Sequence, residues 1–285
     1  MKTSVSTYSF NKRIQDKTLT QADCIKKAKE MGYDAIEICG ILAEDGFSDE
    51  EYAIYLKETA EKLNMPVSNY TFGADLVRES DEGVKDEIEK VKLQLNLARL
   101  VGAKSVRHDA MYNVGRYKTF QNALVPVANA IREITEYAKG LGISTMVENH
   151  GFFCQDADRV ERLIEEVNHE NFSLLVDMGN FLCADEKPEI SVGRVAHLAG
   201  FVHAKDFHIK NAYEPDPGKG FFKSRGGNYL RGAILGQGNV PVKQCLDILK
   251  KAGYDGYVSV EFEGVEDPLY ALEIACENLR NYLDI

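Results

Sequence analysis

The stretch KEMGYDA at residues 29–35 returns almost unchanged as KKAGYDG at 250–256, and a looser form, KGLGIS, stands at 139–144. In each, an amphipathic run reaches its end, a glycine stops it, and a strand-like run follows. That is a helix end, a glycine turn and a strand entry. Outward from these junctions, short β-rich runs alternate with helical patterns along the chain. The strand candidates are 4–10, 34–39, 66–72, 104–109, 143–150, 172–178, 200–207 and 256–262. Strict alternation predicts a parallel sheet covered by helices, and eight units in one chain of this length predict an α/β fold closed as a (β/α)8 barrel. An open doubly wound sheet is the rival, but no GxGxxG follows the first strand. The chain reads as a single barrel domain over 1–285, with a long loop at about 208–240 on the side where the strands end.

A chain of 285 residues that is 44% hydrophobic and 28% charged has the composition of a globular protein rather than a disordered or membrane-spanning one. The N-terminus, MKTSVSTYSFNKR, has no continuous apolar segment of signal-peptide type, and no apolar run approaches a membrane span. Six widely spaced cysteines with no CxxC pair read as reduced, buried thiols, which points to a cytoplasmic protein. A net charge of −11 repels polyanions, so neither nucleic acid nor a membrane is an expected partner. A homo-oligomer is compatible with all of this.

In a barrel of this kind the active site lies at the C-terminal ends of the strands. The fifth strand ends in VENHG (147–151), the sixth in VDMGN (176–180), the seventh carries VHAKD (202–206) and the eighth VEFE (260–263). Glu148, Asp177, His203 and Glu261 therefore stand at equivalent depth on four neighbouring strands. A lone acid or histidine on an apolar strand is ordinarily structural. Four in register suggest a cation that pairs with them. Three carboxylates and one imidazole suit Mn²⁺ or Mg²⁺ better than structural zinc.

Other residues keep two readings each. Glu263 could touch substrate, stand behind the ligands or face a helix. His108 could be a barrel-mouth ligand or acid, or a core histidine, and Arg107 beside it can pair with Asp109. Glu37 faces the interior if the parity holds, where it could form an ion pair or bind a hydroxyl. Lys205 shares the face of His203, as a substrate ligand or as a partner for Glu261 or Glu263. The loop at 208–240 has the glycines and basic side chains of a lid, Arg231 among them as a candidate to meet an oxyanion or phosphate. GQG at 236–238 is a poor phosphate loop, since no GK[ST] follows.

With GYDAIEI (32–38), VENHG, VDMGN, VHAKD, GQGNV (236–240) and GYDGYVSVEFEG (253–264), the chain resembles over essentially its whole length the xylose-isomerase-like TIM barrels called sugar phosphate isomerases/epimerases. The resemblance implies one divalent ion, Mn²⁺ foremost and otherwise Mg²⁺, Co²⁺ or Zn²⁺, held by Glu148, Asp177, His203 and Glu261. It also implies that Glu148 and Glu261 move the proton. Ketose 3-epimerases of this group carry a histidine three residues after the aspartate, where this chain has Asn180, a further candidate to meet substrate. The expected activity is isomerisation or epimerisation of a ketose, keto-polyol or sugar phosphate, a small-molecule carbohydrate, through a metal-stabilised enediolate. The alternative is a dehydratase or lyase acting on a keto-inositol or 3-keto-glycoside. An endonuclease IV-like phosphodiesterase needs more histidines than this chain aligns, and a non-catalytic sugar-binding protein would not need all four ligands.

Overall fold

The computed structural model describes residues 1–285. Seven strands come first: β1 (Lys2–Ser6), β2 (Ala35–Cys39), β3 (Val67–Phe72), β4 (Ser105–His108), β5 (Ser144–Glu148), β6 (Phe172–Asp177) and β7 (Ala199–Ala204). Then β8 (Asp206–Lys210), β9 (Phe222–Lys223) and β10 (Tyr229–Ala233) form a separate antiparallel sheet, and β11 (Tyr257–Val260) completes the barrel. The closed order is β1-β11-β7-β6-β5-β4-β3-β2, and every pairing is parallel. The α/β (β/α)8 expectation is met. Two details differ. The first strand stops at Ser6, whose hydroxyl accepts from the Tyr8 backbone N–H and turns Thr7–Phe10 into a 3₁₀ helix. The stretch expected as a plain loop at 208–240 contains most of the small sheet.

The repeated phrase builds the barrel floor. Helix α2 (Gln21–Met31; a one-turn α1, Asn11–Gln15, precedes it) starts on a Thr20/Asp23 capping box and ends at Gly32, whose φ of 91° an L side chain rarely adopts. Tyr33 then enters the core and donates to the Leu272 carbonyl at 2.9 Å, while Asp34 accepts from the Thr3 backbone N–H at 2.9 Å. In the second copy Tyr254 donates to the Tyr257 carbonyl at 2.6 Å, and Asp255 pairs with the N-terminal ammonium at 2.6 Å. Each copy therefore ties a helix end to the start of neighbouring β1.

Helices α3 (Asp49–Lys62), α4 (Asp81–Val101), α5 (Phe120–Gly140), α6 (Ala157–Val167), α7 (Pro188–Val195), α8 (Val242–Lys251) and α9 (Pro268–Leu283) cover the outside. One apolar core of 76 buried residues is dominated by the layer between these helices and the strands. Inside the barrel lies a smaller plug of Met146, Leu175 and Phe201. Two positions further along the same three strands stand Glu148, Asp177 and His203. Period-two alternation puts each pair on one face, so the apolar plug is directly followed by a polar layer. No helix is long and apolar enough to cross a membrane.

The excursion between β7 and α8 closes on itself. The Asp206 carboxylate accepts backbone N–H bonds from Gly236 (2.9 Å), Gly238 (2.8 Å) and Val240 (3.0 Å), and the Asn239 N–H reaches the Phe207 carbonyl at 2.7 Å. The GQGNV turn thus cradles an anion belonging to its own chain. Asp185 fastens the far end, accepting from Ser224 Oγ (2.6 Å) and Asn228 Nδ2 (2.8 Å), and Arg225 pairs with Asp156 at 2.9 Å.

Candidate metal centre and substrate cavity

His203 is the hub of the polar layer. Its Nδ1 lies 3.7 Å from each of Glu148 Oε1, Asp177 Oδ2 and Glu261 Oε2, and it is buried without a hydrogen-bond partner. One ligand atom from each of the four residues can be chosen so that all lie within 4.8 Å of one another. The other ring nitrogen, Nε2, is 2.8 Å from Glu37 Oε2, and Glu37 in turn accepts from Asn69 Nδ2 and Ser259 Oγ, both at 2.9 Å. That carboxylate orients the ring so that Nδ1 faces the three acids, as the outer partner of a metal-bound histidine does.

The ligand oxygens are similarly oriented. Asp177 Oδ1 accepts from the backbone N–H groups of Gly179 (2.8 Å) and Asn180 (2.9 Å), which leaves Oδ2 facing the cluster. Glu148 Oε1 accepts from Asn180 Nδ2 at 2.8 Å, and its Oε2 pairs with the Arg107 guanidinium. Burial would push the Glu148 carboxyl up, but Arg107 and His203 outweigh it and hold the value down to about 2. Burial opposes a charged His203 as well, yet Glu37 and Glu261 raise its pKa well above the usual imidazole value. Carboxylates outnumber the permanent cations Arg107 and Lys205 in this buried layer, and charges so placed call for a counter-ion. An orphaned imidazole nitrogen amid hard oxygen donors fits a divalent ion.

Above the cluster opens a cavity of about 550 Å³. Its wall includes Tyr8, Tyr112, His150, Phe152, Asn180, Lys205, Phe222 and Glu263. Lys205 forms its base: Nζ lies 2.5 Å from Glu261 Oε2, 3.1 Å from Asp177 Oδ2 and 3.8 Å from Glu263 Oε2. Glu263 therefore faces the cavity rather than a helix, and burial raises its pKa. On another part of the wall Asp109 holds His150 Nδ1 at 2.8 Å, accepts from Tyr112 Oη at 2.6 Å, and lies 3.3 Å from Arg107.

Three residues expected to meet substrate do not line this cavity. Glu37 is fully buried with both oxygens engaged by His203, Asn69 and Ser259, where it is placed to orient the ring. His108 is also fully buried and off the cavity wall, its Nδ1 on the Asp109 carbonyl at 2.9 Å, its Nε2 without a hydrogen-bond partner and its ring 6.3 Å from that of Phe72. Arg107, the residue before it, points inward instead. Arg231 lies over the Phe221 ring, 3.7 Å from Glu266, and is absent from the cavity wall, whereas adjacent Gly232 lines it. Asn180 and Lys205 do line the cavity. The sequence reading gave no role to His150 or Tyr112. The available signal was parity, since His150 follows Glu148 by two positions.

MJ1311 of Methanocaldococcus jannaschii, an uncharacterised protein, is 25% identical over 162 residues, which is 55% of this chain and only 48% of that protein. An inosose dehydratase of Mesomycoplasma hyopneumoniae is 24% identical over 263 residues, covering 86% of this chain and 81% of the relative. Among solved structures, the IOLI protein with a bound zinc atom superposes with a TM-score of 0.79 at 17% identity, over 100% of this chain and 98% of that one. A family model described as the xylose isomerase-like TIM barrel matches residues 25–282, nearly the whole chain, and the chain belongs to that family.

Proposed function

We propose that this chain is a divalent-metal-dependent enzyme that removes a proton alpha to the carbonyl of a small polyhydroxylated ketone. The observation that carries the reading is His203 Nδ1, buried, unpartnered and 3.7 Å from three carboxylate oxygens, with Lys205 and Asn180 linking two of those acids and Glu148 to the cavity wall. Glu148, Asp177, His203 and Glu261 would hold the ion, Mn²⁺ or Mg²⁺ by the hardness of the donors, and the ion would supply Lewis-acid polarisation of the carbonyl. The chain's own groups do the rest. Glu148 is pinned by Arg107 and Asn180 with its side chain 1% exposed, whereas that of Glu261 is 12% exposed, so Glu261 is the stronger candidate to accept the proton. Asn180 and Lys205 meet substrate oxygens from the base of the cavity, and Phe152, Tyr112 and Phe222 limit its access to water.

Returning the proton to the other face of the same carbon epimerises it, and returning it to the neighbouring carbon isomerises the sugar. Dehydration is a second reading favoured by His150. This ring, fixed by Asp109, lines the same cavity and can hand a proton to a departing β-hydroxyl, so that the carbon-bound hydrogen and the hydroxyl leave as a proton on Glu261 and a molecule of water. The inosose dehydratase relative adds weight to this outcome. The test is proton NMR in D₂O with Mg²⁺ and a panel of ketoses, keto-inositols and 3-keto-glycosides. The α-carbon of a reactive substrate should gain deuterium, and Glu261→Gln should slow that exchange by about 10²-fold or more. Metal-loaded wild-type protein that exchanges no proton on any member would count against the reading.

A further inference from the structure

Lys205 occupies an unusual position for a substrate ligand. The residue is 3% exposed, and its ammonium lies 2.5 Å from Glu261 Oε2 and 3.1 Å from Asp177 Oδ2. These are two of the three carboxylate oxygens that face His203 Nδ1 at 3.7 Å. The oxygens that would hold a divalent ion are thus already neutralised by a cation of the chain itself. An ion and the ammonium sharing the same pair of oxygens would stand against each other in a buried site, where repulsion is poorly screened. One of them must yield. The lysine has somewhere to go: Asn180 Oδ1 lies 3.2 Å from Nζ and Glu263 Oε2 3.8 Å, and both residues line the cavity above. Four rotatable bonds allow such a swing without backbone movement.

We propose that Lys205 is the resident counter-ion of the metal-free cluster and that entry of a divalent ion displaces its ammonium from Asp177 and Glu261 towards Asn180 and Glu263, where it becomes the cation that meets substrate. The inference rests on the metal reading above and adds an order of events: the ammonium at the base of the cavity turns from the two acids towards substrate only after the ion is in place. It also assigns the metal-free protein a means of keeping its buried acids paired.

Two measurements test this on the full chain. Calorimetric titration with Mn²⁺ should show Lys205→Met binding the ion at least about tenfold more tightly than wild type, because a competing cation has been removed. The same variant should melt at a lower temperature than wild type when metal-free. If Lys205→Met fails to fold without metal, Lys205→Gln, which keeps a hydrogen-bonding head group, carries the affinity comparison. The second measurement needs no variant: reductive methylation followed by peptide mass spectrometry should leave Lys205 unmodified in metal-free protein and modify it several-fold faster in Mg²⁺. Unchanged or weaker affinity in the folded variant, or equal labelling with and without Mg²⁺, overturns the displacement. Wild-type protein that binds neither ion would instead overturn the metal reading itself.

Discussion

Glu37 and His203 are 166 positions apart in the chain, yet Glu37 Oε2 stands 2.8 Å from His203 Nε2 across the closed barrel. The pair fixes which nitrogen of the ring faces the three carboxylates. Glu37→Gln keeps the size and an acceptor oxygen but removes the charge. Affinity for Mn²⁺, read by calorimetry, should fall about 10–100-fold with little change in the far-UV circular dichroism. An unchanged affinity would mean that the ring needs no orienting partner.

Arg107 pairs with Glu148 in the same layer. Arg107→Met leaves that buried carboxylate without its paired guanidinium, a change that costs up to about 3–5 kcal/mol when one partner of a buried pair is removed. Chemical denaturation should show the loss in metal-free protein and a smaller one in saturating Mn²⁺, which would resupply positive charge. Equal losses in both conditions would show that Glu148 does not face the ion.

Asp109 gives the pH dependence a sign. Burial pushes its carboxyl up, but Arg107, His150 and Tyr112 together outweigh this and hold it well below the usual carboxylate range. A carboxyl depressed in the folded state stabilises the fold above its unfolded value of about 4, and that contribution is lost as pH falls below it. Wild-type stability should therefore decline as pH is lowered from about 4, and Asp109→Asn should show a shallower decline from a lower starting point. Parallel profiles for the two proteins would remove Asp109 as the source.

The small sheet is fastened at both ends, so its exposed part lies between them. Residues 211–220 are mostly exposed, whereas Ser224 and Tyr229–Leu230 are buried. Limited proteolysis should cut within 211–220 and spare 224–233. Asp185→Ala, which removes the acceptor of Ser224 and Asn228, should extend cleavage into 224–228. Cleavage spread evenly over 208–240 in wild type would restore the picture of a wholly mobile loop.

The barrel was legible because its junctions repeat. The Gly-Tyr-Asp phrase performs the same three tasks twice, and each task needs that residue type: a left-handed turn, a ring that is buried in Tyr33 and half-buried in Tyr254 with its hydroxyl on a carbonyl, and an acceptor for the start of β1. The four clustered residues were legible by parity, since period-two alternation carries an apolar plug into a polar layer. His108 and Arg107 show where parity runs out. In VRHD either neighbour can face inward, and β4 is only four residues long, too short for a hydrophobic pattern to decide. The strand β9 has two residues, and β8 and β10 pair over a gap of 18 residues, so no local signal marks them as a sheet. Lys205 was legible as a residue of the site, but its alliance with Asp177 and Glu261 depends on the depth to which a flexible side chain reaches.

The carboxylate of Asp206 has a consequence for how such barrels diversify. It immediately follows the lysine at the base of the cavity, and it gathers the backbone of Gly236, Gly238 and Val240, so the excursion leaves and rejoins the barrel at one knot. Beyond that knot the excursion is tied back to the scaffold by Asp185 and Asp156, which leaves residues 211–220 between two fixed points. Inserting or deleting residues in 211–220 changes loop-closure entropy only slowly with length and leaves the spacing of β7 and β11 untouched. Gly220, Phe222 and Gly232, which shape the cavity wall, belong to this excursion, while the four cluster residues do not. Part of the pocket's outline is therefore carried by a segment outside the strands that bear the cluster, and changes of length in 211–220 can reshape that part while the cluster stays in place.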